Sequence, residues 1–121
     1  MSDIKEILIK NKTIAMIGVS QDSTKPSTIV MKYMQNYGYK VIPVNPRAKG
    51  EKILGEEVFG KLEEIKIPID IVDVFRPSNE ALEIAEDTVK IKAKVLWLQL
   101  GISSDEAKAT VESNNIKYID N

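Results

Sequence analysis

The sequence predicts an α/β fold: a doubly wound five-stranded parallel sheet in a single three-layer domain spanning residues 1–121. Three observations predict it. Short apolar runs alternate with amphipathic helical patterns, so consecutive strands are joined by helical crossovers and run parallel. The run from Val95 to Leu100 is apolar at nearly every position, which suits an inner strand covered on both faces. The first run, "TIAMIGV", stops at a glycine and is followed by a polar loop and a helix start at Pro26 and Ser27, the strand–turn–helix unit of such sheets.

"SDIKEILIKN" near the N-terminus has the pattern of a short amphipathic helix, and Thr13 to Val19 is the first strand. The next helix closes in "KYMQNYG", where Gly38 is placed to take the left-handed conformation past its end. Tyr39 to Asn45 is the second strand, ended by Pro46. "GEEVFGKLEEIK" is a weaker pattern, worth a turn or two of helix. Ile69 to Phe75 is the third strand. After it, Pro77 sits in a first turn and Ala81, Leu82, Ile84, Ala85 and Val89 recur at helical spacing. Ala93 to Gly101 is the fourth strand. Ser103, with Glu106 three residues on, has the spacing of a capping box for the helix that follows, and Ile116 to Asp120 is the fifth strand. The first and fourth strands are placed in the middle of the sheet. No repeat, low-complexity tract or linker interrupts this order.

A chain of 121 residues with 43% apolar and 29% charged residues has the composition of one globular domain with a real core. A formal net charge of −1, with basic and acidic residues interleaved, argues against a nucleic-acid-coating protein. The absences exclude more. Without cysteine there is no disulfide, thiol nucleophile or thiolate metal site, and without histidine no Ser-His-Asp hydrolase. A Ser-Lys or carboxylate mechanism remains chemically open. No apolar run approaches the roughly 20 residues of a membrane span. The N-terminus lacks the apolar core of a secretory signal. The expectation is a cytoplasmic protein that touches neither membrane nor nucleic acid.

In a doubly wound sheet, ligands sit beyond the carboxyl ends of the strands, where the strand order reverses. Four loops qualify. After the first strand, Gly18 allows a tight turn, Val19 follows, Ser20 offers a hydroxyl, and Lys25 adds a cation beside a helix N-terminus suited to an anion. The P-loop pattern is absent. The structural alternative is a turn with a serine cap and a surface lysine. After the second strand come Val44, Asn45, Pro46, Arg47 and Lys49, then Lys52. An NAD site has an acid at this place to grip the ribose hydroxyls. A neutral amide followed by cations favours a ribose bearing phosphate, as in NADP or coenzyme A. The alternative is a proline-stiffened turn with solvated lysines.

After the third strand, Phe75 could lie against an adenine or a pantetheine arm and Arg76 could clasp a phosphate. Core packing and an ion pair are their structural readings. Asp73, inside that strand, is an unusual polar residue expected to satisfy nearby backbone or a cation. After the fourth strand, Gln99 is an amide among apolar neighbours that needs partners, from backbone or from ligand. Trp97 shares its face as core, and Gly101 permits a close approach or starts the turn.

Taken together, "GVSxxxxKPS", "GYKVIPVNP", "DIVDVFRPS" and "VLWLQLGI" resemble the small bacterial and archaeal CoA-binding proteins, a stand-alone domain family with a Rossmann-like fold. The same fold forms the N-terminal part of the succinyl-CoA synthetase alpha subunit and of related acyl-CoA synthetases. The resemblance runs from about Lys12 to the end of the chain. It implies that Gly18, Val19 and Ser20 meet the CoA phosphates with Lys25 nearby, and that Val44, Asn45 and Pro46 flank the adenosine. It also implies that Phe75 and Arg76 lie beside the diphosphate or adenine, and that Gln99 and Gly101 line the crevice. The synthetases carry a lysine just beyond the proline after the second strand; here Arg47 and Lys49 both stand near that point. Family members often continue into a short cysteine-containing tail, whereas this sequence stops at Asn121. The phosphorylated histidine of the synthetases has no counterpart, so their activity is not inherited with the fold. The function expected is a non-catalytic module that binds coenzyme A or an acyl-CoA as its small-molecule nucleotide ligand. An NADP-dependent reductase fragment and a nucleotide-sensing regulatory protein are the alternatives. A protein partner, and monomer or homodimer, are left open.

Overall fold

The computed structural model describes residues 2–99 and 101–120, so Leu100, the last apolar position of the predicted fourth strand, lies outside the described residues. The elements are α1 (Ser2–Lys10), β1 (Thr13–Ile17), α2 (Pro26–Asn36), β2 (Lys40–Val44), β3 (Lys52–Ile53), β4 (Glu56–Glu57), β5 (Ile71–Val74), α3 (Ala81–Lys90), β6 (Val95–Leu98), α4 (Asp105–Glu112) and β7 (Lys117–Ile119). Five of the strands form one parallel sheet in the order β2-β1-β5-β6-β7. None of the described helices is long and apolar enough to cross a membrane.

Strand alternation divides the core in two. Ala15, Ile17, Val72, Val74, Leu96 and Leu98 pack with Ala81, Ile84, Ala85, Ala107 and Val111 of α3 and α4. Ile14, Met16, Val41, Ile71 and Val95 pack with Ile7 of α1 and Met31 of α2. Helices thus cover both faces, giving the three-layer, Rossmann-like α/β fold. Fully buried side chains such as Met31 and Leu96 each contribute about 1.5–3 kcal/mol by leaving water.

One placement differs from the sequence reading. The first and fourth predicted strands, β1 and β6, are interior, but the centre between them is the third, β5. All four residues of β5 are buried. Asp73 interrupts its apolar run and makes it read as less central than β6, although β6 carries the half-buried Trp97.

Helix ends follow local chemistry. After α2, Gly38 takes φ 89, its N–H donates to the Gln35 carbonyl, and the Tyr39 N–H donates to that of Met34, a Schellman closure. The Tyr39 hydroxyl donates to the Leu8 carbonyl at 2.8 Å and ties α1 to the sheet. The cap of α4 is Ser104, one residue later than the capping-box spacing of Ser103 and Glu106 suggests; its Oγ accepts from the Ala107 N–H at 3.1 Å. Ser104→Ala is expected to lower unfolding free energy by about 1 kcal/mol, measured by urea denaturation; an unchanged midpoint contradicts the cap assignment.

The segment read as a turn or two of helix, residues 55–66, holds one 3₁₀ turn at Leu62–Glu64, while its start, Glu56–Glu57, is β4, paired with the preceding β3 in a small hairpin. Its two-residue loop, Leu54-Gly55, has φ 49 and 83, the positive pair of a tight hairpin turn. Beyond it, the Phe59 N–H donates to the Pro43 carbonyl and the Asn45 N–H to that of Phe59. This chain covers the outer edge of β2, which would otherwise offer unpaired backbone to other strands.

Candidate functional site

The strand order reverses at β1. The chain goes from β1 to β2 on one side and then returns to place β5 on the other, the kind of switch point at which doubly wound sheets bind their ligands. Gly18 forms the floor of the β1 loop, with φ 92 and its N–H donating to the Val44 carbonyl at 2.9 Å. A Cβ at this position would stand 2.8 Å from the Phe75 carbonyl oxygen and 2.9 Å from Cδ of Arg76. The two loops therefore touch, and only glycine allows it.

Val19 is buried in the core on the α2 face, so its side chain packs inside while its carbonyl stays at the rim. Ser20 is the hinge between loop and helix. Its N–H donates to Ser27 Oγ at 3.3 Å, its carbonyl accepts from Thr28 Oγ1 at 2.6 Å, and its own Oγ accepts from the Asp22 N–H at 3.0 Å. Lys25, exposed, holds the N-cap position of α2; no side chain caps that end, and no acid occupies the first turn. Pro26 has no N–H and those of Thr28 and Ile29 donate to the Lys25 carbonyl, so what this helix start offers an anion is the Ser27 N–H and the partial positive charge of the helix end. Asp22 is the one acid of this loop. The Thr24 hydroxyl and N–H both donate to it and hold its carboxyl below the usual range.

On the β2 side, Val44 is core, and Pro46–Ala48 form a 3₁₀ turn capped by Asn45. The Asn45 amide works on both loops at once: Oδ1 accepts from the Arg47 N–H at 3.0 Å, and Nδ2 donates to the Val19 carbonyl at 2.9 Å. This bracing role was not legible in the sequence, where Asn45 stood as the amide in place of a ribose-gripping acid and as a residue flanking the adenosine. Arg47 is exposed, and its guanidinium has no ion pair among the described residues. Lys49 is bonded to Glu64 at 2.8 Å. Glu64 also accepts from the Gly60 N–H, and these contacts, the lysine's first, lower its pKa.

On the β5 side, half-buried Phe75 packs against the α2-face core. Arg76 is exposed and forks onto Glu80 with bonds of 3.0 and 2.6 Å, which raise the arginine pKa and lower that of Glu80. The Ser103 N–H donates to Ser78 Oγ at 3.1 Å, linking the loops after β5 and β6. Gly101 takes φ 87 in open space, so it makes the turn, not a close approach. Gln99, half-buried, donates through Nε2 to Asp73 Oδ1. Burial pushes the Asp73 carboxyl up to about 7 against the opposing bonds from Gln99 and the Val74 N–H. Trp97 packs on the same face, its indole N–H buried without a hydrogen-bond partner among the described residues.

The loops after β1 and β5 thus meet at Gly18, and the loop after β2 is joined to the first of them through Asn45. Lys49 and Arg76 are engaged by Glu64 and Glu80, partners the sequence reading did not name. Both acids lie outside the loop segments, at positions that look like ordinary solvated surface.

Residues 12–121 match the protein family described as CoA binding domain. The chain is 42% identical over 106 residues to the uncharacterized protein YneT of Bacillus subtilis strain 168, covering 88% of this chain and 77% of that one. Among solved structures, a Thermus thermophilus protein superposes with a TM-score of 0.94 at 34% identity, covering 98% of this chain and 89% of the other. A hypothetical protein from Pyrococcus horikoshii OT3 gives 0.94 at 33% identity, over 99% and 83% of the two chains. A dinucleotide-forming acetyl-coenzyme A synthetase of Ca. Korarchaeum cryptofilum shares the fold at a TM-score of 0.73 and 22% identity, over 92% of this chain and 26% of the synthetase.

Proposed function

This chain belongs to the CoA-binding domain family, and from that premise we propose that it binds coenzyme A or an acyl-CoA as a non-catalytic nucleotide-binding module. The observation that carries the reading is the contact of Gly18 with Phe75 and Arg76 at the strand-order reversal, beside the uncapped start of α2. In this reading the diphosphate lies against Gly18, Ser20 and the first turn of α2, with Lys25 as counter-charge. The adenosine runs along Val44, Asn45 and Pro46. Its 3′-phosphate meets Arg47, which we favour over Lys49 because the lysine is already held by Glu64. Arg76 can exchange Glu80 for a phosphate at small cost, since an exposed pair is worth only about 0–1 kcal/mol. Phe75, Gln99 and Gly101 border the path of the pantetheine arm.

The absence of an acid at the end of β2 fits the 2′-phosphate of NADP equally well, so the test compares the two nucleotides. Titration calorimetry in low-salt buffer is expected to give heat with CoA and less with NADPH. A hundredfold excess of CoA over Kd should stabilise the fold by about 2.7 kcal/mol. Arg47→Ala should weaken CoA and leave dephospho-CoA unchanged. Silence with CoA, or tighter binding of NADPH, refutes the reading.

A further inference from the structure

Asp73 is the only acid among the buried polar residues described, at 7% exposure in the central strand. Its register partners are Met16 on β1 and Trp97 on β6. The cluster on that face adds Ile7 from α1, Met31 from α2, and Ile71 and Phe75 from its own strand and loop. Among the described residues, no lysine, arginine or second acid in these elements acts on the carboxyl; its ionisation is governed by burial and by the bonds from Gln99 and the Val74 N–H. Arg76, three residues on, is spent on Glu80.

Among the described residues, the carboxyl's one side-chain partner is thus an amide just past the carboxyl end of β6. Gln99 leaves β6 with its N–H donating to the Val74 carbonyl at 3.2 Å. Its Nε2 is pinned on Asp73. A primary amide has a donor end and an acceptor end, so pinning one end leaves the other to meet whatever lies over the strands.

We propose that Asp73 is a positioning residue, whose proton decides which end of the Gln99 amide faces the ligand. Ionised, the carboxylate accepts from Nε2, and Oε1 is turned outward as an acceptor. Protonated, Asp73 becomes a donor, its O–H bonds to Oε1, and the amide rotates to present its NH₂ instead. Only that one proton, exchanged with solvent, distinguishes the two arrangements. Because the carboxyl titrates at about 7, both are populated near neutrality. Resting on the proposed CoA reading, a secondary amide of the pantetheine arm is met here at its N–H and not at its carbonyl, and that N–H requires the outward Oε1. Affinity then rises with pH.

Two measurements test this. In ligand-free protein, the Gln99 side-chain ¹⁵N resonance should titrate with a midpoint near 7 and be flat in Asp73→Asn. In calorimetry, dephospho-CoA, which lacks the titrating 3′-phosphate, should bind several-fold to about tenfold tighter at pH 8 than at pH 6, the worth of about one hydrogen bond. That slope should vanish in Asp73→Asn and in Gln99→Leu. A Gln99 resonance indifferent to pH overturns the proposal whether or not CoA binds. A wild-type pH slope that survives in Asp73→Asn also overturns it. Failure of CoA and dephospho-CoA to bind at any pH, with the Gln99 titration intact, refutes the ligand reading and the ligand half of this proposal, while the proton-coupled pair stands.

Discussion

Gly18→Val is expected to melt far below the parent protein and to lose binding of coenzyme A. Two costs add at this position. The backbone sits at φ 92, where an L-residue pays about 1–2 kcal/mol and a β-branched one more. The new Cβ would also fall 2.8 Å from the Phe75 carbonyl oxygen, a backbone atom that cannot step aside as a flexible side chain would. Forcing extra carbon into a packed place typically costs about 1–3 kcal/mol. The expected loss is about 3–5 kcal/mol, a large share of the roughly 5–15 kcal/mol that holds a domain together. Gly101→Ala separates the two causes, because Gly101 has φ 87 with nothing within 4 Å of its would-be Cβ. It should cost only the backbone part, about 1–2 kcal/mol. Urea denaturation of both variants decides the matter; a Gly18→Val protein within about 1 kcal/mol of wild type removes the contact from the account.

Asp73→Asn is expected to stabilise the protein above neutral pH and to flatten its stability profile. The folded carboxyl titrates at about 7, raised by burial from 3.8. Between those values the native state holds a proton that the unfolded chain has released. Stability is therefore full below pH about 4, falls as pH rises, and levels off above about 7. The full span corresponds to about 4 kcal/mol, an upper bound because water reaching the ionised carboxyl softens it. An amide at this site keeps the partnership with Gln99 and never ionises. Denaturation midpoints from pH 5 to 8 should fall in the wild type and hold level in Asp73→Asn. A wild-type profile that rises across this interval contradicts the assignment.

Periodicity carried most of the architecture, because an apolar strand buried on both faces leaves few other sequences. Where it misled, single residues account for the failure. Asp73 broke the run of β5 and concealed that this strand, more than β6, is enclosed. The β3–β4 hairpin escaped because Lys52, Glu56 and Glu57 are too polar and too few to alternate, and its turn relies on Leu54 at φ 49, a conformation leucine rarely takes. At the site, the Gly18 turn and the helix start at Pro26 follow from "GVSQDSTKPS" itself, but the serine cap does not, since Lys25 holds the N-cap position and no side chain caps it. The ion pair read for Arg76 is present, but its partner and that of Lys49 were not named, since Glu64 and Glu80 reach the rim through the 3₁₀ turns that carry them. Nor was the Asn45 brace readable, because it depends on the carbonyl of Val19 arriving from another strand.

The strand order also constrains how the chain reaches its native state. The strand at the centre is born in the middle of the sequence, and its partner Ile14–Ile17 belongs to the beginning, nearly half the chain away. Closing so long a loop is an entropic toll met before any of that pairing is rewarded. The helices can flicker into being early, and β1 with β2 or β5 with β6 can pair across shorter loops, but the two halves of the sheet are not joined until those distant segments collide.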